Sequence, residues 1–203
     1  MSIATVPSFR FGPPDRGDRS RWRLVACALR FALLSAFLLG LCWSGAVQAA
    51  APWRELVPQA QTVGSGTMRW LGFRIYHATL WASQRPLDDS QPFALQLDYK
   101  IAISRDRLAS TSIEEIQRMS AAPIAGPTLA RWKSELGRAF VDVADGDELV
   151  GVYLPQRGMR LYDRDKLLAE IADPELARAF FNIWLGQPSR DESLRRRLLG
   201  ETP

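Results

Sequence analysis

The sequence is short of reactive side chains. Both cysteines, Cys27 and Cys42, precede residue 50, so residues 50–203 can form neither a disulfide nor a thiolate metal site. His77 is the single histidine, which excludes a multi-histidine metal centre and a histidine-cysteine pair. No Gly-x-Ser-x-Gly elbow is present for a Ser-His-Asp hydrolase. Gly64-Ser65-Gly66 is followed by neither Lys-Ser nor a helix pattern, so it reads as a place of tight packing or a bulge, not a phosphate loop. No metal and no cofactor are expected.

The body of the chain also lacks a charge excess. Residues 1–49 hold six arginines and two acids, and the remaining residues hold 20 basic and 20 acidic side chains. The net charge of +4 therefore belongs to the leader, and a neutral body argues against nucleic-acid binding. That leader has the order of an export signal: arginines up to Arg30, an apolar run from Phe31 to Trp43, then small residues ending at Ala49 and Ala50. An apolar run of 13 residues is short of the roughly 20 that a membrane-crossing helix needs. Residues 1–49 are therefore expected to be a signal peptide cleaved near Ala49, leaving a periplasmic or secreted chain with no stable membrane span. A lipid-attachment signal is disfavoured because Leu41, before Cys42, is not small.

The chain beyond the leader is patterned as one α+β domain. Gln61 to Ala82 mixes β-branched and aromatic residues with glycine and reads as a hairpin turning near Trp70 to Gly72. Phe93 to Ile101 alternates as a half-buried antiparallel strand. Helical spacing begins after Ser104, a capping residue, and returns from Thr128 to Phe140 around Trp132 and Leu136. Glu148–Leu154, Met159–Tyr162 and Leu167–Ile171 read as a meander of three strands. Asp173-Pro174-Glu175 opens a helix that stops at Gly186, and a short basic helix runs from Asp191 to Leu199. The acidic pairs, Glu114-Glu115 among them, read as solvated charge, and lone His77 as structural.

Two runs carry a family resemblance. VGSGTMRWLGFRIYHATLWA, from Val63 to Ala82, resembles the opening hairpin of the chalcone isomerase-like family, in particular its exported bacterial members. IADPELARAFFNIWLG, from Ile171 to Gly186, is similar to that family's C-terminal helix. The resemblance places a chalcone isomerase-like domain at residues 53–199 and implies an open-faced β-sandwich, a large antiparallel sheet packed against helices. It also implies candidate ligand-binding residues. Arg69 lies near the family's arginine, Tyr76 falls where the family has a catalytic threonine, and Tyr99 stands for its later tyrosine. One of three matched positions is an incomplete catalytic set, so the resemblance implies no confident catalytic residue. It points first to a noncatalytic domain binding a small apolar or fatty-acid-like ligand, with Arg69 and Tyr76 holding a carboxylate. The alternatives are an isomerase or intramolecular lyase acting on a phenolic enone, with Arg69 polarising the carbonyl and Tyr76 donating a proton, and a structural partner in an envelope complex.

Overall fold

Two strands rich in β-branched and aromatic residues, β1 (Gln61–Trp70) and β2 (Phe73–Ala82), begin the fold as a hairpin. The computed structural model describes residues 51–187 and 189–201, and the expected signal peptide, 1–49, lies outside them. Residues Ala50–Pro203 form one compact unit. After the hairpin come β3 (Phe93–Tyr99), α1 (Arg105–Met119), α2 (Gly126–Ala139), β4 (Glu148–Leu154), β5 (Gly158–Tyr162), β6 (Leu167–Ile171), α3 (Pro174–Leu185) and α4 (Glu192–Leu198). The six strands form one antiparallel sheet in chain order, with α1 and α2 inserted between its central strands β3 and β4. This is the α+β open-faced architecture expected from the sequence.

Strand alternation decides which face the helices cover. Ala78 and Leu80 of β2, Phe93, Leu95, Leu97 and Tyr99 of β3, Leu149 of β4, and Met159 and Leu161 of β5 are buried on that face. Against them pack Ile113 and Ile116 of α1, Trp132 and Leu136 of α2, Phe180, Phe181 and Trp184 of α3, and Leu194 and Leu198 of α4. The opposite face is closed in part by a 3-10 turn at Pro52–Leu56. Its Trp53 and the nearby Val57 bury against Val150, Val152 and Tyr162, and Arg54 stacks over the rings of Trp53 and Trp81, 4.5 and 4.4 Å from their centroids. The rest of that face carries polar ladders. Trp81 donates to Gln96, which donates to Glu148 at 2.9 Å, and His77 shares a 3.1 Å hydrogen bond with Thr67. His77 is thus a strand residue satisfied by its cross-strand neighbour.

Three devices fix the helices. Ser104 accepts from the Arg107 backbone N–H at the start of α1. Asp173 caps α3 through the N–H groups of Glu175 and Leu176 and also accepts from Trp132 Nε1 at 2.9 Å and Arg131 at 2.6 Å, joining α2 to the α3 start. Gly64 lets α4 lie directly on β1: a Cβ there would stand 1.9 Å from the Arg197 carbonyl oxygen. Two boundaries differ from the sequence reading. α2 starts at Gly126, because Pro127 suits the first helical turn, and β3 ends at Tyr99, although the Lys100 N–H still donates to the Ile75 carbonyl one rung further along the β2 ladder.

Candidate functional site

Between the helix-covered face of the sheet and helices α1, α3 and α4 lies a cavity of about 640 Å³. That lies within the roughly 300–1,000 Å³ range of small-molecule sites. Its walls are largely apolar: Leu95 and Leu97 from β3, Leu149 and Leu161 from the meander, and Phe180 and Phe181 from α3. Gly151, opposite Leu95 in the ladder, adds no side chain, and the Phe181 ring lies against the space it leaves. Exposed Trp70 and exposed Arg107 are also on the lining, so the cavity reaches the surface between the hairpin end and the start of α1.

Two phenols are among the polar groups on its wall. Met68, Tyr76 and Tyr99 sit opposite one another across β1, β2 and β3 and therefore share the cavity face. The rings of Tyr76 and Tyr99 meet edge to face with centroids 5.9 Å apart. Trp184 Nε1 donates to the Tyr76 hydroxyl at 2.9 Å, tying the C-terminal helix to the hairpin and leaving the Tyr76 proton available to an acceptor. Tyr99 is 3% exposed, yet its hydroxyl makes no hydrogen bond to any of the described residues. No fully enclosed side-chain polar atom among the described residues lacks a partner, so this hydroxyl keeps its surface on the cavity that it lines. Burial pushes the Tyr76 phenol up to about 12, with Asp191 and Glu115 adding to the rise against the Trp184 hydrogen bond. Burial also raises Tyr99, with the Tyr76 phenol adding to it. Both are neutral donors at physiological pH.

The wall beside them carries an ion-pair cluster. Glu115 of α1 is buried and bridged by Arg118 at 2.8 Å and by Arg190 from the segment between α3 and α4. Arg190 is therefore committed to Glu115, whereas Arg107 makes no ion pair among the described residues. The arrangement can hold an apolar body along β3 and donate hydrogen bonds to an oxygen at the Tyr76 and Tyr99 end. Among the described residues there is no group of three or more side chains fit to hold a metal ion.

Comparison with known proteins agrees with this architecture. The family model described as chalcone isomerase-like matches residues 61–200. The chain belongs to the chalcone isomerase-like family. Among solved structures, an Arabidopsis thaliana fatty-acid binding protein is similar in fold, with a TM-score of 0.55 at 11% sequence identity, over 70% of this chain and 87% of that one. No curated protein sequence matches.

As a member of the chalcone isomerase-like family, the chain places its three candidate residues in two different settings. Tyr76 and Tyr99 come together on the cavity wall. Arg69 does not join them. It is exposed, off the cavity lining, and pairs with Arg74 across the hairpin end, while the partner of Tyr76 is Met68. The reason is strand parity: Met68 and Trp70 face the cavity, so Arg69 between them faces away. The expected convergence of Arg69 and Tyr76 on one ligand oxygen is thus not formed. Glu115 and Arg190 line the cavity although nothing in the sequence reading singled them out as site residues. Glu115 had a readable signal: with Leu108 and Ser112 it follows the i, i+4, i+7 spacing of one helix face, which sets it inward and leaves Glu114 exposed.

Proposed function

We propose that this protein is a noncatalytic carrier or sensor of a small apolar, fatty-acid-like ligand, acting outside the cytoplasm after the leader is removed. The observation that carries the reading is the largely apolar cavity, onto which the Tyr99 hydroxyl opens without a hydrogen-bond partner among the described residues. A hydroxyl facing a cavity in this way gains a hydrogen bond only from a ligand or water. The fold shared with a plant fatty-acid binding protein supports the same ligand class. The ligand's chain would lie along β3, where the four steps from Tyr99 to Leu95 span about 13 Å. Its oxygen would accept from Tyr99 and Tyr76. The isomerase reading loses its geometric support, because the arginine it assigned to the carbonyl, Arg69, stands apart from Tyr76.

The test is native mass spectrometry of the protein recovered from the periplasmic fraction of an expressing cell. Retention of a lipid-sized adduct, displaced by added palmitate, is the expected result. Ligand-free spectra together with no uptake of palmitate would overturn the proposal. Incubation with a chalcone checks the rival: unchanged absorbance is expected, and turnover would reinstate an enzyme.

A further inference from the structure

The β1–β2 hairpin ends in a turn that neither the core nor the turn geometry accounts for. Trp70 and Phe73 form the last pair of the ladder, and Leu71 and Gly72 make the two-residue turn with φ of +48° and +86°. Such turns favour asparagine or aspartate before glycine, because a side chain at positive φ is strained. Leucine stands there instead, 83% exposed, flanked by Trp70 at 54% and Phe73 at 72%. These are the three most exposed large apolar side chains among the described residues, and they are contiguous.

Charge singles out the same turn. Arg69 and Arg74 flank it, both exposed and neither in an ion pair among the described residues. No acidic residue occurs from Leu56 to Leu87, so both strands of the hairpin are free of negative charge in a body whose total charge is balanced. An aromatic and aliphatic tip above a collar of arginines matches the layering of a bilayer surface, apolar inside and phosphate outside.

We propose that the hairpin end, Arg69 to Arg74, docks on an anionic phospholipid bilayer. Trp70, Leu71 and Phe73 enter the boundary between headgroups and acyl chains, and Arg69 and Arg74 meet the phosphates. Trp70 also lines the cavity, so docking sets the cavity opening against the lipid from which an apolar ligand would come. The docking is independent of what the cavity binds, whereas this transfer role rests on the ligand-binding reading above.

The experiment uses residues 50–203, which form a compact unit with its own core. Flotation is measured with vesicles of phosphatidylglycerol and phosphatidylethanolamine, and with phosphatidylcholine alone. The protein is expected to float with the anionic vesicles, with binding weakened by salt and with brominated acyl chains quenching a part of the tryptophan emission that Trp70→Phe removes. Leu71→Ser with Phe73→Ser should lower binding at least tenfold while keeping the melting temperature, and Arg69→Gln with Arg74→Gln should lower it about fivefold per arginine. Absence of vesicle binding, unchanged binding in the two variants, or a protein dimer that Leu71→Ser with Phe73→Ser dissociates would each overturn the proposal. Uptake of a fluorescent fatty acid in vesicle-free buffer is read separately, so docking and ligand binding can fail independently.

Discussion

Replacing Tyr76 and Tyr99 one at a time by phenylalanine removes two hydroxyls that share a cavity but differ in hydrogen-bond state. The Tyr76 hydroxyl accepts from Trp184 Nε1 at 2.9 Å, and Trp184 is 8% exposed, so Tyr76→Phe orphans a buried N–H. An orphaned donor costs about 1–3 kcal/mol. The Tyr99 hydroxyl has no partner to lose among the described residues, so Tyr99→Phe should change stability by less than about 0.5 kcal/mol. Ligand affinity should behave differently. If each phenol donates to the ligand oxygen, each variant loses about 0.5–1.5 kcal/mol of binding, or about 2- to 12-fold in Kd. Urea unfolding at neutral pH gives the first comparison, and displacement of a fluorescent fatty acid gives the second. Equal destabilisation by the two variants, or an unchanged Kd in Tyr99→Phe, would show that the two hydroxyls do not differ in this way.

Alkali provides a related check. Tyr76 is raised from 10.0 to about 12, so the folded state holds this proton more tightly than the unfolded one, and the linked stability is full below pH 10 and lost as pH rises towards 12. The loss assignable to Tyr76 is on the order of 3 kcal/mol, and stability measured across that range should fall less steeply in Tyr76→Phe than in the parent. At the acid end, burial alone would raise Asp173, but hydrogen bonds from Leu176, Arg131 and Trp132 together hold it below its ordinary 3.8. Its stabilisation is present above pH 4 and lost as pH falls through the depressed value, so Asp173→Asn should flatten the acid limb of the melting curve. At neutral pH, Asp173→Ala should cost about 2–4 kcal/mol in urea unfolding by removing both the α3 cap and the partner of Trp132. Two glycines should respond in opposite directions. Gly64→Ala forces α4 off β1 and should destabilise by about 1–3 kcal/mol, whereas Gly137→Ala, in open space within α2, should stabilise by about 0.5–1 kcal/mol in the same assay.

Periodicity makes most of the fold legible, because the strands and helices bury one face each. The alternation through Phe93, Leu95, Leu97 and Tyr99 and the helical spacing of Trp132 and Leu136 correspond to side chains that are buried in the fold. The glycine pair in β1 marks close packing, as its sequence suggests, although nothing local names α4 as the neighbour. The turn at Pro52–Leu56 is not legible: five residues carry no period, and Trp53 is buried only because a distant strand, β4, presents Val150 and Val152. The site is legible in part. Tyr76 and Tyr99 lie on a face defined by period two, and they meet the cavity. Arg69 fails by one step of parity, a shift that spacing to a family motif does not resolve. Glu115 reads as solvated because an acid pair usually is; its burial depends on Arg190, 75 residues further along the chain.

If the cavity between β3 and helices α1 and α3 holds an apolar chain with its oxygen at Tyr99, an NMR complex of residues 50–203 with palmitic acid carrying a 13C-labelled terminal methyl will show where that chain ends. Intermolecular NOEs from that methyl to Leu95, Leu161 and Phe181, together with a shifted Tyr99 ring resonance, are the predicted result. A methyl that contacts only the exposed hairpin end, or that shows no contacts while those three side chains keep their ligand-free shifts, would contradict it.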